Sequence, residues 1–477
     1  MNLASRRVFL QQVATAATTM VCANGLSLWG QPAAAPGGAR AFRTTDGEKF
    51  KEIAVPGWQS GSSPASRVTP GVTIDAAQRF QSVLGFGGAF TDASCYLLNG
   101  MEPAQRRQLL EEFFGPGGLG LSVGRTCIGA SDYSRSAYTF DDSTAPDLEL
   151  KNFSIEHDRG WILPVLREAL TTQPDLFLFS TPWSPPGWMK AGGSLLGGSM
   201  RKQYFPCYAQ YFVKFLEAYK AEGVSIRAVT TQNEVDTDQD GRMPAALWGQ
   251  EYEAGFVRDF LGPALRAANL DTKIWLLDHN YDLWGRAMDM MSDPAVYRYV
   301  DGVAWHGYAG EPEAMTKVHN AYPAQSAYWT EGGPDYTDPD YTTDWAKWAG
   351  TYAQILKNWA RCIVAWNLVL DEKGGPNIGP FNCGGVVTLD SKTQKLTRSG
   401  QYWGFAHYSK AVRRGAQVIA SKADQSGIEH VAFVNPDGGY VLVLTNAGDE
   451  RQVECRFQGK AMPLTLARNS VLTLQWS

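Results

Sequence analysis

The sequence carries little net charge. Its 43 lysine and arginine residues nearly balance 48 aspartates and glutamates, which leaves a formal charge of -5. A strongly basic chain would indicate nucleic acid or an anionic membrane surface as partner, and this balance gives no reason to expect either. Charged residues make up 19% and hydrophobic residues 44% of the chain, which is typical of a soluble globular protein. The 477 residues suffice for one large domain and a small one.

Cysteine is also scarce, with seven residues in the whole chain. None of the seven stands in C-x-x-C spacing, so a zinc or redox motif is not indicated. Six of them follow the N-terminal segment, and the sequence does not choose among their pairings. A protein of this size does not need disulfides, so we expect most of these cysteines to be free and buried.

The chain has no hydrophobic run long enough for a stable transmembrane helix. Its N-terminus instead has Arg6 beside Arg7, then a weakly apolar segment up to Trp29, then small residues up to Ala35. These features in this order are typical of a twin-arginine signal peptide. We therefore expect residues 1–35 to be an export signal, the mature protein to be periplasmic or extracellular, and no stable membrane insertion.

Strand-like segments alternate with helical segments over most of the chain. The predicted strands are residues 84–90, 121–128, 176–181, 226–232, 273–277, 302–305, 327–330 and 363–368. Apolar residues recur at helical spacing in residues 105–114, 204–219, 251–268, 283–299 and 344–361. This alternation indicates an α/β protein with a (β/α)8 TIM barrel, which we place at residues 76–413. An open doubly wound sheet is the alternative, but the first strand lacks a Gly-rich dinucleotide-binding turn.

The pattern changes after residue 413. Short apolar runs at residues 418–420, 430–434, 440–444, 453–457 and 471–475 are separated by turn-forming residues. This pattern predicts a β-sandwich side domain at residues 414–477. Because chain ends usually lie near each other, we expect N-terminal strands in residues 36–75 to join this side domain.

Two predicted strands each end in a glutamate. Glu234 follows the fourth strand, directly after Asn233, and Glu331 follows the seventh. In a parallel barrel both carboxylates would point into the same mouth, where barrel enzymes place their chemistry. Hydrolysis of a glycosidic bond typically requires a pair of carboxyl groups that face each other across the bond. A carbohydrate-binding protein without turnover is the alternative from another class, but it would not need such a pair.

Other strand ends carry residues suited to a sugar site. Arg125 lies near the end of the second predicted strand and could hold a carboxylate ionised, although its spacing alone favours a surface salt bridge. Trp183 follows the third strand, where its ring could stack on a sugar or belong to the core. His279 and His306 lack a partner histidine or cysteine at ligand spacing, so we expect no metal and no cofactor.

Five motifs occur in order from about residue 71 to the C-terminus, and together they resemble glycoside hydrolase family 30, the glucosylceramidase family. They are Gly85-Phe-Gly-Gly-Ala-Phe-Thr-Asp92, Thr181-Pro-Trp-Ser-Pro-Pro186, Thr231-Gln-Asn-Glu234, Trp329-Thr-Glu331, and Trp366-Asn-Leu368 with Gly374-Gly-Pro-Asn377. The resemblance implies a retaining β-glycosidase with Glu234 as acid/base and Glu331 as nucleophile. It also implies a substrate-binding set at the innermost sugar site, in which we include His306: Arg125, Asp132, Trp183, Asn233, His306, Tyr308, Trp366 and Asn382.

The sequence departs from the family pattern beside the predicted acid/base. Val235 stands where the family commonly has proline, and residues 236–248 with Asp236, Asp238 and Asp240 differ from the lysosomal members. This loop would lie on the leaving-group side, where it would alter which leaving group is accepted.

From these observations we predict an exo-acting retaining β-glucosidase whose substrate is a β-linked glucoside or glucan. An endo-β-1,6-glucanase or a β-xylosidase is the alternative, and ceramide as aglycone rests on the resemblance alone. Like-charge repulsion from Glu331 and partial burial should raise the pKa of Glu234. The sequence does not indicate the oligomeric state.

Overall fold

The computed structural model describes residues 38–60 and 71–477. The predicted export signal lies outside these residues and stays a prediction. Within the described ranges, no helix combines the length and apolar character needed to cross a bilayer. All six cysteines of these ranges are free, and five of them are buried.

Four strands precede the barrel along the chain. They are β1 (Arg40–Thr45), β2 (Glu48–Ile53), β3 (Gln59–Ser60) and β4 (Gly71–Ser82). The predicted segment of N-terminal strands, residues 36–75, covers only the start of β4, because the later residues of this strand are mostly polar and exposed. None of the four belongs to the barrel.

Eight parallel strands close into the barrel in the order of the chain. They are β5 (Gly85–Phe90), β6 (Val123–Cys127), β7 (Phe177–Thr181), β8 (Ile226–Thr230), β9 (Lys273–Asn280), β10 (Val300–His306), β11 (Ser326–Glu331) and β12 (Ala360–Ala365). A cluster of buried side chains from these strands, including Phe179, Trp275 and Tyr328, fills the lower interior. Gly87 lets β5 approach β6 closely, since a Cβ there would lie 1.7 Å from the carbonyl oxygen of Val123.

Helices cover the outside of the barrel. Their bounds are Asp92–Gly100, Pro103–Phe114, Glu156–Gly160, Ile162–Thr172, Phe205–Ala221, Gln250–Phe256, Gly262–Ala267, Trp284–Met291, Pro294–Tyr297, Glu313–Ala321, Trp345–Lys357 and Gly400–Ser409, with a π-helical turn at Val257–Leu261. The single helix predicted over residues 283–299 is wrong. Asp293 instead caps a second helix that starts with Pro294, whose missing N–H is tolerated only in a first turn.

The remaining strands form two further sheets. A small sheet after the barrel consists of β13 (Val369–Asp371), β14 (Val387–Leu389) and β15 (Leu396–Arg398). The C-terminal strands are β16 (Gln417–Ala423), β17 (Glu429–Val434), β18 (Tyr440–Asn446), β19 (Arg451–Phe457), β20 (Lys460–Leu466) and β21 (Ser470–Trp476). With β1–β4 they form a ten-stranded sheet of order β2-β1-β21-β18-β17-β16-β4-β19-β20-β3. The predicted TIM barrel with a β-sandwich side domain is confirmed.

The helix at Gly400–Ser409 connects the barrel to this ten-stranded sheet. His407 of the helix is fully buried, and its two ring nitrogens lie 2.9 Å from the hydroxyl of Thr473 and 2.8 Å from that of Thr44. Burial lowers the pKa of His407 to about 3, so the ring is neutral and pairs with two neutral hydroxyls. The side domain therefore contacts this outer helix of the barrel through hydrogen bonds between uncharged groups.

Candidate active site

The carboxyl ends of the barrel strands bring together the polar residues that the sequence singled out. Arg125 lies in β6, Asn233 and Glu234 follow β8, and Glu331 ends β11. His306 ends β10. These side chains come from four strands, and they contact one another because parallel strands present their carboxyl ends at one mouth.

Arg125 is the centre of this arrangement. Its guanidinium is fully buried and donates to Oε2 of Glu331, to Oδ2 of Asp278 at 2.8 Å and to Oδ1 of Asn233 at 2.9 Å. The spacing in the sequence favoured a surface salt bridge for Arg125, and the structure instead buries its guanidinium completely. A fork of donors in a fixed plane holds the side chains of Glu331 and Asn233 in one orientation.

Asp278 is a site residue for which the sequence offered no partner. Its carboxylate is buried and accepts hydrogen bonds from Arg125, from His306 at 3.0 Å, and from three threonine hydroxyls, those of Thr181, Thr230 and Thr330. Burial raises the pKa of Asp278, but Arg125 and His306 lower it by more than burial raises it, so the carboxylate stays charged. The available signal was an apolar strand, Ile274–Leu277, that ends in a polar Asp-His-Asn sequence.

His306 lies between the two glutamates. Its Nδ1 lies 3.2 Å from Oε1 of Glu234, and its Nε2 lies 3.8 Å from Oε2 of Glu331 and 3.0 Å from Oδ1 of Asp278. Burial lowers the pKa of His306, but Glu331, Asp278 and Glu234 together raise it to about 9. The ring is therefore an imidazolium that donates to carboxylates, and its predicted contact with substrate stays a prediction.

Glu234 is held by both of its carboxylate oxygens. Oε1 faces His306 and, at 3.6 Å, Nδ1 of His279, whereas Oε2 accepts a hydrogen bond from Nε2 of Gln239 at 3.0 Å. The predicted rise of its pKa is wrong for this state of the site. Burial does raise the pKa of Glu234, but the hydrogen bond and the charge of His306, then His279 and Arg125, lower it overall. The expectation from the sequence rested on Glu331 alone, because His306, His279 and Arg125 are distant from Glu234 along the chain.

Gln239 is another contact that the sequence did not reveal. Its backbone and that of Asp240 both adopt positive φ angles, 51° and 52°, in the turn before Gly241. Two successive non-glycine residues in this region are unfavourable and persist only where the surroundings enforce them. The turn aims the amide of Gln239 at Glu234, five residues earlier in the chain.

Glu331 has a second donor besides Arg125. The hydroxyl of Tyr308 donates to Oε1 of Glu331 at 3.0 Å, while about half of the Tyr308 side chain remains exposed. Burial of the hydroxyl itself and then the charge of Glu331 raise the pKa of Tyr308 well above its ordinary value, so the hydroxyl keeps its proton. Both oxygens of Glu331 are thus oriented by donors from β6 and from the loop after β10.

Asp132 lies in the same mouth and is almost fully buried. Among the residues described, its Oδ1 has no hydrogen-bond partner. Burial, then Glu331 and Glu234, raise the pKa of Asp132 well above its usual range. A buried carboxyl oxygen without a partner is costly, so this group is suited to a ligand that brings a hydroxyl to it.

The predicted stacking tryptophans face each other. Trp183 and Trp366 stack with ring centroids 5.0 Å apart, and both are at least 98% buried. Cζ of Arg125 lies 4.7 Å from the ring of Trp183 and 5.3 Å from that of Trp366. The pair therefore supports Arg125, and a stacking contact with a sugar stays a prediction. Asn382 is exposed, and its carbonyl accepts from the backbone N–H of Tyr336 at 3.1 Å.

Comparison with known proteins gives two family matches that together span most of the chain. The TIM-barrel domain of glycosyl hydrolase family 30 matches residues 83–412, and the β-sandwich domain of the same family matches residues 415–474. Endo-1,6-beta-D-glucanase of Neurospora crassa is 35% identical over 86% of this chain and 89% of its own length. Putative glucosylceramidase 4 of Caenorhabditis elegans is 30% identical over 84% and 83%. A solved endo-beta1,6-glucanase has a TM-score of 0.82 at 31% identity, covering 92% of this chain and 99% of that chain.

The contacts of Arg125 predict how its loss affects stability. In Arg125→Met, the buried carboxylates of Asp278 and Glu331 lose their shared cation, so the free energy of unfolding should fall by about 3–5 kcal/mol. The double variant Arg125→Met/Asp278→Asn also removes one of the two buried, unpaired carboxylates. It should therefore regain part of the lost free energy of unfolding. Urea unfolding of both variants and of the parent measures the effect. A double variant no more stable than Arg125→Met would contradict the electrostatic role of Arg125.

Proposed function

The chain belongs to glycosyl hydrolase family 30 and is a glycoside hydrolase, and on this premise we propose that it cleaves β-1,6-glucan at internal bonds. The observation that carries this proposal is the 35% identity to a fungal endo-1,6-beta-D-glucanase along nearly the whole of both chains. The structural likeness to a second endo-beta1,6-glucanase supports it. Of the functions considered from the sequence, the alternative of endo action is thus better supported than the exo-β-glucosidase.

The proposed reaction proceeds with retention of configuration. Glu331 attacks the anomeric carbon, the glycosidic C–O bond breaks, and Glu234 gives a proton to the departing oxygen. A water molecule then attacks the glycosyl–Glu331 ester while Glu234 takes up one of its protons, which restores both carboxyl groups. The contacts of Glu331 with Arg125 and Tyr308 support a nucleophile that is ionised and oriented before substrate binds.

The contacts of Glu234 support its use as the proton donor and acceptor. Oε1 faces two imidazoles, so Oε2, which accepts a hydrogen bond from the half-buried loop residue Gln239, is the oxygen suited to meet the leaving group. The proton that Glu234 delivers can be held by the Glu234–His306 pair, whose hydrogen bond joins a carboxylate to an imidazolium. Asn233, whose side-chain oxygen is fixed by Arg125, can direct its amide N–H at the sugar's 2-hydroxyl.

The rim beside Glu234 suits a sugar as leaving group. Asp236 and Gln239 place polar groups next to the acid/base, and Leu196 and Leu247 offer exposed apolar surface that can meet a ring face. These residues lie in two loops, one containing Leu196 and the other running from Asp236 to Leu247. Lys190 hydrogen-bonds to both loops. Its buried ammonium donates to Oγ of Ser184 at 3.0 Å and to the carbonyls of Leu195 at 2.9 Å and Ala245 at 2.6 Å. A rim fixed in this way supports binding of a further glucose residue of the polymer.

Exo-acting hydrolysis of β-glucosides, as in a glucosylceramidase, is the second candidate. The 30% identity to a putative glucosylceramidase supports it. The unpartnered oxygen of Asp132 also suits a site that reads the hydroxyls of one terminal glucose. Both candidates use the same two glutamates, and they differ in where along the polymer the chain is cut.

Product analysis separates the two candidates. We expect a linear β-1,6-glucan to give oligosaccharides of mixed length in the first few per cent of reaction, with a rapid fall in polymer size and little free glucose. Time-resolved chromatography of the products, together with viscosity of the polymer solution, measures this. Free glucose as the main early product, with viscosity nearly unchanged, would replace the endo proposal with the exo one.

The role of Glu234 predicts an effect that depends on the leaving group. Glu234→Ala should lower kcat/KM on β-1,6-glucan by about 10²–10⁴-fold, because an alkoxide leaving group needs a proton. On an aryl β-glycoside of an acidic phenol, formation of the glycosyl-enzyme should be much less affected, since that phenolate leaves without help. The exposed Glu251 provides a matched control, and Glu251→Ala should behave like the parent on both substrates. Equal losses on the two substrates would rule out the acid role of Glu234.

A further inference from the structure

Three groups that can bind a metal converge at the candidate acid/base. Glu234, His279 and His306 each offer one ligand atom, and these atoms all lie within 4.8 Å of one another. Oε1 of Glu234 lies 3.2 Å from Nδ1 of His306 and 3.6 Å from Nδ1 of His279. The two ring planes are nearly perpendicular, at 72°. The three groups come from the ends of β9 and β10 and from the loop after β8, so their spacing along the chain concealed the cluster.

His279 is the unusual member of this cluster. It is about 95% buried, and its Nδ1 has no hydrogen-bond partner among the described residues. Burial of a ring nitrogen without a partner is costly, and such a group calls for a ligand. The predicted reaction does not use His279, since His306 already provides the hydrogen bond to Oε1 of Glu234.

Each imidazole is backed by a carboxylate on its other nitrogen. Nε2 of His279 lies 2.6 Å from Oδ1 of Asp236, and Nε2 of His306 lies 3.0 Å from Oδ1 of Asp278. Carboxylates in this position hold a proton on the outer nitrogen, so the inner nitrogen is the one that can bind a metal once it has lost any proton, and they raise its basicity. Metal-binding histidines characteristically have such a partner, and here both histidines have one.

Two of the separations, both from Oε1 of Glu234, match those of a first-row metal site. Ligand atoms about 2.0–2.1 Å from Zn²⁺ at tetrahedral angles lie about 3.3–3.4 Å apart, close to the two distances from Oε1 of Glu234. Two imidazoles with one carboxylate are a donor set used for zinc and for ferrous iron. The surrounding carboxylates of Asp236, Asp278 and Glu331 would also attract a divalent cation.

We propose that Glu234, His279 and His306 form a binding site for a divalent first-row metal ion such as Zn²⁺, and that the bound ion switches the hydrolase off. The ion takes the place of the proton between Oε1 of Glu234 and Nδ1 of His306, and that proton is released to solvent. Glu234 can then neither donate a proton to the leaving group nor accept one from water. Binding itself does not depend on the proposed function, whereas inhibition rests on Glu234 being the acid/base.

Calorimetry with Zn²⁺ on the full chain, freed of metal by a chelator, tests the binding. We expect one saturable site in the parent protein and no saturable binding in His279→Ala. Asp236→Asn leaves all three ligands in place and changes only a half-exposed loop residue, so it serves where His279→Ala fails to fold. It should weaken Zn²⁺ binding by about 10–100-fold. With Co²⁺, the parent should show the visible absorption of a low-symmetry site, and His279→Ala should not.

Two control variants separate this site from other possible zinc ligands. His319 lies outside the site, stacked on Trp359, and Cys383 is a partly buried thiol near Trp366. His319→Asn and Cys383→Ser should both bind Zn²⁺ with the affinity of the parent. Absence of saturable binding in the parent, equal binding in the parent and Asp236→Asn, or loss of binding in either control would overturn the proposal.

The kinetic readout then distinguishes this inference from the proposed function. Zn²⁺ should inhibit hydrolysis of the glucan in the parent at the concentrations at which it binds, and Asp236→Asn should need about 10–100-fold more. Stoichiometric binding at the cluster without inhibition would refute the switch and the acid/base role of Glu234 together. Absence of binding in a protein that still degrades the glucan would refute the metal site alone.

Discussion

A single buried guanidinium determines how this mouth is built. Arg125 reaches from β6 to groups on two other strands and to the loop after β8, so it joins Glu331, Asp278 and Asn233. Each of these groups is costly to bury alone, and together they share one cation whose donors match their positions. The stacked tryptophans beneath Arg125 keep water out and leave it few alternative positions.

Arg125 also makes the surroundings of the two glutamates different. Glu331 is held by Arg125, whereas Glu234 lies on the far side of His306, which hydrogen-bonds to it and to Asp278. Glu331 is thus paired with an arginine, which stays protonated, whereas Glu234 is paired with an imidazole, which can exchange a proton. This difference suits a nucleophile that stays ionised and an acid/base that cycles between two states. The unpartnered nitrogen of His279 fits neither role and motivates the metal site.

The sequence predicted the barrel and the side domain because both depend on local patterns, namely apolar strands, helical spacing and turn residues. It also placed Glu234 and Glu331 at strand ends, since the strand before each is strongly apolar. It could not find the pairing of His279 with Asp236, because these residues come from different strand ends and meet only in the folded barrel. The lowered pKa of Glu234 was missed for the same reason, since its cause lies on β10. The strained turn at Gln239 has no local sequence signal other than the glycine that follows it.

The most direct test of this account is identification of the residue that carries the glycosyl group. A 2-deoxy-2-fluoro derivative of a β-1,6-linked diglucoside, with an activated leaving group, should inactivate the protein by trapping the covalent intermediate. Digestion and peptide mass mapping should then find one label per chain, on Glu331, and Glu331→Gln should not be labelled. A label on Glu234 or on Asp278, or sustained turnover with an inverted anomeric product and no label, would contradict the account.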